Sequence, residues 1–429
     1  MSNNEAPPGG FKQTEIGLIP EEWEIMKLGS IAETKSGGTP SRNDPSLFQG
    51  GIPWVKSGEL DDLVVRDTEE KITDKALQNS SAKVFPKGTL LIALYGATVG
   101  KTGILGIDAT TNQAVCAIFP KADAFTPSYL QYYFIRIRPE LLKARYGGAQ
   151  PNISQTVIKD TIVIIPPLPE QRAIAHVLSK IQAAAQAQAA IAGRARELKR
   201  ALMAKLFTEG LRRGEPLKET EMGPMPESWE VEKLGDVCAI ATGTTPATDK
   251  PEYYGGNIPF IKTSEIANNR IIKAETHITQ KAVEDYNLRI YPPGTVLMAM
   301  YGQGKTRGQV ALLNISAATT QNTAAICPCE ELDSEYLWQW LMGQYNNLRN
   351  AGALGHISHL NLGYVKAYGI PKPPLDEQRE IAYILQTVDA KIATAERKRA
   401  GLEELFRAML GELMTGRVRA TLLIDALFV

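Results

Sequence analysis

The 429-residue chain carries the same unit twice, and any fold proposed for it must accommodate that repeat. Residues 20–29 read PEEWEIMKLG and residues 226–235 read PESWEVEKLG, an offset of 206 (226 against 20). The offset persists along the chain. Gly37-Gly38-Thr39-Pro40 faces Gly243-Thr244-Thr245-Pro246, Pro53-Trp54-Val55-Lys56 faces Pro259-Phe260-Ile261-Lys262, and Leu94-Tyr95-Gly96 faces Met300-Tyr301-Gly302. After a small insertion, Thr110-Thr111-Asn112-Gln113 lies against Thr319-Thr320-Gln321-Asn322. The unit closes with PPLPEQR at 166–172 against PPLDEQR at 373–379, an offset of 207.

Each copy has the same internal order. Short apolar runs bounded by Gly and Pro, such as GTLLIALYG (88–96), QAVCAIFP (113–120) and DTIVIIPP (160–167), read as strands. One amphipathic stretch per copy, 128–145 and 334–349, reads as a helix. The globular parts are therefore α/β in the mixed α+β sense, with a strand order that the pattern does not specify. Beyond Glu170 proline disappears, and apolar residues recur at Ile174, Leu178, Ile181, Ala185, Ala192, Ala195, Leu198, Leu202 and Leu206. The second copy repeats this with Ile381, Leu385, Val388, Ile392, Ala395, Leu402, Leu405, Met409 and Leu413. Steps alternating between three and four make the seam of a coiled coil, and Pro169 is tolerated in the first turn. The expected organisation is a globular domain over 1–167, a long helix over 168–210, a second globular domain over 211–374, a second long helix over 375–416 and a tail over 417–429. Each long helix needs a partner for its stripe, and the other copy supplies one. An antiparallel coiled coil separates the two globular parts, whereas a parallel one brings them together. DNA has its own local two-fold axis, with recognition units about 34 Å apart. A rod with a similar but not identical head at each end suits two different half-sites.

Composition narrows the classes. With 47 Lys+Arg against 47 Asp+Glu the formal net charge is zero, which excludes a highly cationic nucleic-acid coat but not a locally basic groove. Hydrophobic residues make up 44%, enough for packed cores and against wholesale disorder. No apolar run reaches the roughly 20 residues that span a bilayer, and MSNNEAPPGGFKQ does not look like a secretory signal. Four cysteines are too few for a disulfide framework, so a reducing cytoplasm is expected.

The doubled architecture, the PLPEQRAIA and PLDEQREIA helix starts, the GGTPS and TGTTP turns, IPWVKSGEL and TTNQAVCAI together resemble the specificity subunit of type I restriction–modification enzymes. The resemblance spans nearly the whole chain in both copies. It implies that each globular part is a target-recognition domain for one half of a bipartite DNA sequence. It further implies that the coiled coil sets the half-site spacing and docks modification (methyltransferase) subunits, typically two, which restriction subunits join. Methyl transfer and cleavage then belong to those partners, with S-adenosylmethionine and ATP/Mg bound there and no cofactor in this chain.

The residues themselves offer little chemistry. An adenine methyltransferase needs an Asn/Asp-Pro-Pro-aromatic motif, and the Pro-Pro pairs at 7–8, 166–167, 292–293 and 373–374 sit in other contexts. Gly100-Lys101-Thr102 and Gly304-Lys305-Thr306 imitate a phosphate-binding loop, but the required first glycine is Tyr95 in one case and Ala299 in the other. Cys327-Pro328-Cys329 has the wrong spacing for zinc, and the two histidines of Gly355-His356-Ile357-Ser358-His359 stand without a nearby thiol or carboxylate. The chain therefore reads as non-catalytic. The alternatives are a protein-only scaffold and a nucleotide-driven enzyme.

Bases are read by Arg, Lys, Asn, Gln, Ser and Thr, mostly in the major groove, so polar loops at matching places in both copies are the candidates. In the first copy these are Thr39, Ser41, Arg42, Lys56, Ser57, Tyr95, Lys101, Thr102, Asn112, Gln113, Gln150, Asn152 and Ser154. In the second they are Thr245, Lys262, Thr263, Ser264, Tyr301, Gln303, Lys305, Arg307, Gln321, Asn322, His356 and Ser358. Thr39 and Thr245 are equally explained as turn formers before proline, and Asn112 and Gln321 as caps on buried backbone. Trp23 and Trp229 read as packing residues.

Overall fold

The structure is a computed structural model that describes residues 9–143, 152–212, 214–302, 304–351 and 359–421. The chain divides into two compact units, residues 1–188 with 397–429, and residues 189–396. Each unit thus contains one globular domain, part of one long helix and part of the other.

In the first unit a hairpin, β1 (Phe11–Thr14) and β2 (Gly17–Pro20), precedes β3 (Glu24–Lys27) and β4 (Ala32–Ser36). There follow β5 (Ile52–Val55), β6 (Leu63–Val65), β7 (Glu70–Ile72), β8 (Leu90–Ala93), β9 (Thr102–Leu105), β10 (Thr110–Thr111) and β11 (Val115–Pro120). Helix α1 (Pro127–Lys143), the short α2 (Gln155–Asp160) and β12 (Ile162–Ile165) complete the domain before the long α3 (Leu168–Glu209). The main sheet has the order β4-β11-β8-β9-β6, antiparallel except for the parallel β9–β6 pair. A second sheet has the order β10-β5-β7, and β12 pairs with β3.

The main sheet is covered on both faces, which explains why its strands read as unbroken apolar runs. Along β8, Leu90 and Ile92 face α1 in one cluster, while Leu91 and Ala93 enter a second cluster with Val55, Phe85 and Val115. Strand β11 alternates likewise, with Cys116 and Ile118 on the first side and Val115 and Ala117 on the second. Burial raises the Cys116 thiol to about 12, so it is an inert apolar side chain. The second unit repeats both sheets in the same order and ends its domain with α4 (Ser334–Gly343), α5 (Leu362–Ala367) and the long α6 (Leu375–Thr415).

The long helices run 42 and 41 residues, so each is about 60 Å long. In the first unit Ile174 and Leu178 near the start of α3 pack with Leu410, Leu413 and Met414 near the end of α6. In the second, Leu206 and Phe207 near the end of α3 pack with Ile381, Ala382 and Leu385 near the start of α6. Start meets end both times, which is antiparallel pairing. Two expected seam positions depart from the pattern: Leu198 and Leu405 are 51% and 46% exposed, and Phe406 and Leu410 take the inward places.

Each globular domain is anchored to its helix by a buried carboxylate. Glu170, in the first turn of α3, is fully buried and accepts from the Trp23 indole at 2.9 Å. Arg419, just past α6, holds both oxygens of Glu170 at 2.8 and 2.9 Å and also bonds Glu22. In the second unit Glu377 takes this place, accepting from the Trp229 indole and from the backbone of Leu211. Gly416 and Gly210 end the two long helices at φ 70° and 66°, and a Cβ on Gly416 would collide with Pro20. Arg419→Ala leaves the buried Glu170 carboxyl without its guanidinium partner. The expected cost is about 2 kcal/mol, moderated because Arg419 is partly exposed. It would appear as a lower chemical-denaturation midpoint that Glu170→Gln partly restores in the double variant.

Candidate nucleic-acid interface

In the first domain the ends of β4, β5, β8 and β10 and the start of β11 converge on one rim. Gly38 donates to the Thr111 carbonyl at 2.9 Å, and the turn lies so close that a Cβ on Gly37 would strike Thr111, which accounts for glycine there. The Thr39 hydroxyl donates to the Gln113 amide oxygen. Asn112 donates its backbone N–H to Val55, the Thr98 hydroxyl bonds the Ser57 carbonyl at 2.6 Å, and Tyr95 forms a bridge to Asn152. The structure therefore gathers Thr39, Ser57, Tyr95, Asn112, Gln113 and Asn152 in one neighbourhood. Gln150, Gln303, His356 and Ser358 lie outside the described residues.

Several candidates have other work. Arg42 lies over the rings of Phe48 and Trp54, at 4.1 and 4.9 Å, and pairs with Glu70 at 2.6 Å. Lys56 bonds Glu69 and Glu70 at 2.7 and 3.1 Å. Thr102 is fully buried with its hydroxyl on Asp62, so it cannot reach a base edge and leaves the candidate set. Ser154 caps α2 by accepting from Val157, and Ser41 accepts from Asn43 within its own turn. Lys101 is half-buried, and among the described residues its ammonium has no hydrogen-bond or ion-pair partner.

The second domain builds the same rim. Thr245 donates to Gln321, Thr263 bonds Thr320 and Thr323 at 3.1 and 3.4 Å, and Tyr301 stacks on His359 with ring centroids 4.5 Å apart. Lys262, Ser264 and Lys305 are exposed. Arg307 is half-buried and donates to the Arg349 carbonyl at 3.0 Å. Asn322 lends its carbonyl to Met300, as Ala114 does to Leu94.

The strand register corrects the sequence pairing of the copies in two places. Thr110 pairs with Trp54 and Ala318 with Phe260, so Thr110 matches Ala318, Asn112 matches Thr320 and Gln113 matches Gln321. The sequence alignment is one residue out here, because Thr-Thr followed by Asn or Gln slides easily. Secondly, Ala93 accepts from Gly100 and donates to Lys101, while Ala299 does the same with Gly308 and Gln309. Lys101 therefore corresponds to Gln309, and Lys305 sits in a connection two residues longer than that of the first copy, as Gly100 returns to Ala93 and Gly308 to Ala299. Sequence reasoning also missed Glu59 and Glu265, whose carboxylates fix the backbones of Lys56 and Lys262 at 2.8 Å. Their constant place three residues after each lysine was the available signal. It missed His359 too, having taken its neighbour His356.

Among the described residues no group of three or more His, Cys, Asp or Glu is placed to hold a metal, and no helix is long and apolar enough to cross a membrane. What the geometry offers is a pair of polar rims of one design with different exposed side chains. The family profile of the type I restriction modification DNA specificity domain matches residues 20–191 and again residues 226–404. The chain belongs to that family, with two specificity domains in tandem. It is 25% identical over 423 residues to the type I restriction enzyme MjaIX specificity subunit of Methanocaldococcus jannaschii, covering 95% of this chain and 96% of that one. Its fold is similar to that of a type I restriction-modification S subunit from M. genitalium, at a TM-score of 0.64, 15% identity and coverage of 91% and 96%. It is also similar to a chain from a type I restriction-modification system studied for complex assembly and conformational transition, at a TM-score of 0.54, 19% identity and coverage of 93% and 99%.

The Glu70 carboxyl is held below the usual carboxylate range, chiefly by its hydrogen bonds to Arg42 and then by Lys56. A carboxyl whose folded pKa is depressed stabilises the fold above its unfolded pKa and loses that contribution as pH falls through the folded value. Glu70→Gln should therefore lower the melting temperature at pH 7, with the difference from the parent shrinking as pH falls through and below the usual carboxylate range. Thermal melts across that pH series check this.

Proposed function

We propose that this chain selects the DNA sequence for a type I restriction–modification complex. Each recognition domain reads one half of an asymmetric bipartite target, and the paired helices set the gap and dock modification subunits. The reading is carried by the two rims, which share their strand register, their Thr–Gln pair and their tyrosine yet differ in exposed side chains. Partners of this chain are double-stranded DNA, two modification subunits and the restriction subunits that join them. The chain itself performs no catalysis, and S-adenosylmethionine, ATP and Mg belong to the partners. Its zero net charge supports this division, because non-specific affinity comes from phosphate neutralisation. The modification subunits supply most of that, while the rims supply base contacts worth about 1–3 kcal/mol each.

Replacing residues 225–372 with those of another family member should change one half-site and leave the other untouched in the assembled complex. Sequencing of methylated adenines in cells carrying the system reads this directly. A change in both halves, or methylation without a split target, would contradict the modular reading, and the latter outcome would point to a scaffold. A helical turn adds about 5.4 Å and a base pair about 3.4 Å. Four residues inserted near Gly193 should accordingly widen the accepted gap by one or two base pairs in the same assay.

A further inference from the structure

Because the two domains share one backbone register, residues can be matched by hydrogen bonds rather than by resemblance. Positions where the rims agree are framework: Thr39 with Thr245, Gln113 with Gln321, Tyr95 with Tyr301. If the half-sites differ, the difference must come from matched positions that disagree and are accessible. Ser41 against Ala247 and Ser154 against Asn361 differ, but Ser41, Ser154 and Asn361 are taken up in a turn and in helix caps. Ser57 against Thr263 exchanges one hydroxyl for another, and Gly58 against Ser264 sets a side chain against none. Other pairs carry larger polar side chains. Arg42 against Thr248 is set aside because Arg42 is committed to Glu70 and to the rings of Phe48 and Trp54. Asn112 against Thr320 is set aside because Thr320 is only 8% exposed and bonded to Thr263. Lys101 against Gln309 is set aside because a lysine ammonium is a point charge suited to phosphate.

Asn152 against His359 remains. The match is secure: Ile153 donates to the Leu94 carbonyl at 2.7 Å, and Leu360 donates to the Met300 carbonyl at 2.9 Å. Each residue directly precedes that bond and stands two positions before a helix cap, Ser154 for α2 and Asn361 for α5. Each sits beside the framework tyrosine, Asn152 through the bridge to Tyr95 and His359 by stacking on Tyr301. Asn152 is exposed, and His359 is half-buried. A side chain that leads into an anchored helix start and rests beside a tyrosine shared by both rims has a defined place from which to meet a base.

We infer that Asn152 and His359 are specificity-determining residues, each meeting a base edge from the rim of its own domain. The inference rests on the functional reading above and deepens it. An asparagine amide offers a donor and an acceptor side by side, the pattern that matches adenine N6 and N7. An imidazole N–H offers a donor for purine N7 or guanine O6. The pair therefore supplies two chemistries at one address, a way for two domains of one design to accept different half-sites.

The test uses the chain assembled with its modification subunits and a library of duplexes randomised in each half-site. Asn152→His should change discrimination at one position of one half-site by about tenfold and leave the other half-site as it was. His359→Asn should do the converse. Unchanged preference at every position would overturn the inference, as would weaker binding that is uniform across sequences, the mark of a phosphate contact. Asn152→Ser and His359→Gln are read in parallel, with thermal melts of all four, so that a variant that misfolds does not decide the matter. If the unmodified assembly shows no split preference at all, the functional reading itself falls and this inference with it.

Discussion

The apolar stripe along each long helix cannot be satisfied by the domain that precedes it. Leu178 of α3 is fully buried only because Leu410, Leu413 and Met414, more than two hundred residues later, join the same cluster as α1. Leu385 of α6 likewise depends on Leu206 and Phe207. Each compact unit is consequently assembled from segments far apart in the chain, and neither copy of the repeat is self-sufficient. The buried carboxylates follow from the same constraint. The buried Glu170 finds its ionic partner, Arg419, only because the end of the other helix delivers it.

On this frame the duplication separates two kinds of residue. Glycines at 37 and 243, the Thr–Gln pairs, and Glu59 with Glu265 serve the shared backbone. Once those positions are accounted for, the rims differ in the side chains that they present on a common backbone, and selective recognition draws on such differences.

Much of the architecture was legible because it rests on periodicities. The repeat, the strand runs at 88–96 and 113–120 and the two long helices all survive in the structure within a few residues of their expected bounds. The rim was legible as a region but less so by residue. Thr102 is polar in sequence and buried in fact, because Asp62, forty residues earlier, receives its hydroxyl. Arg42 looks like a reader of bases until Glu70, Phe48 and Trp54 are seen around it. Such engagements join residues whose separation in sequence carries no pattern.

By itself the amino-acid sequence determined that there are two related domains, that each is a sheet with few helices, and that two rods need each other. These follow from local burial requirements repeated at fixed spacing. Only the tertiary structure decided the strand order, the one-residue slip that matches Gln113 to Gln321 and the four-residue shift that moves the match of Lys101 from Lys305 to Gln309. Register is set by which side chains a strand buries and by the turns that join it. In strands buried on both faces a slip of one residue exchanges one buried side chain for another and leaves little trace in the letters.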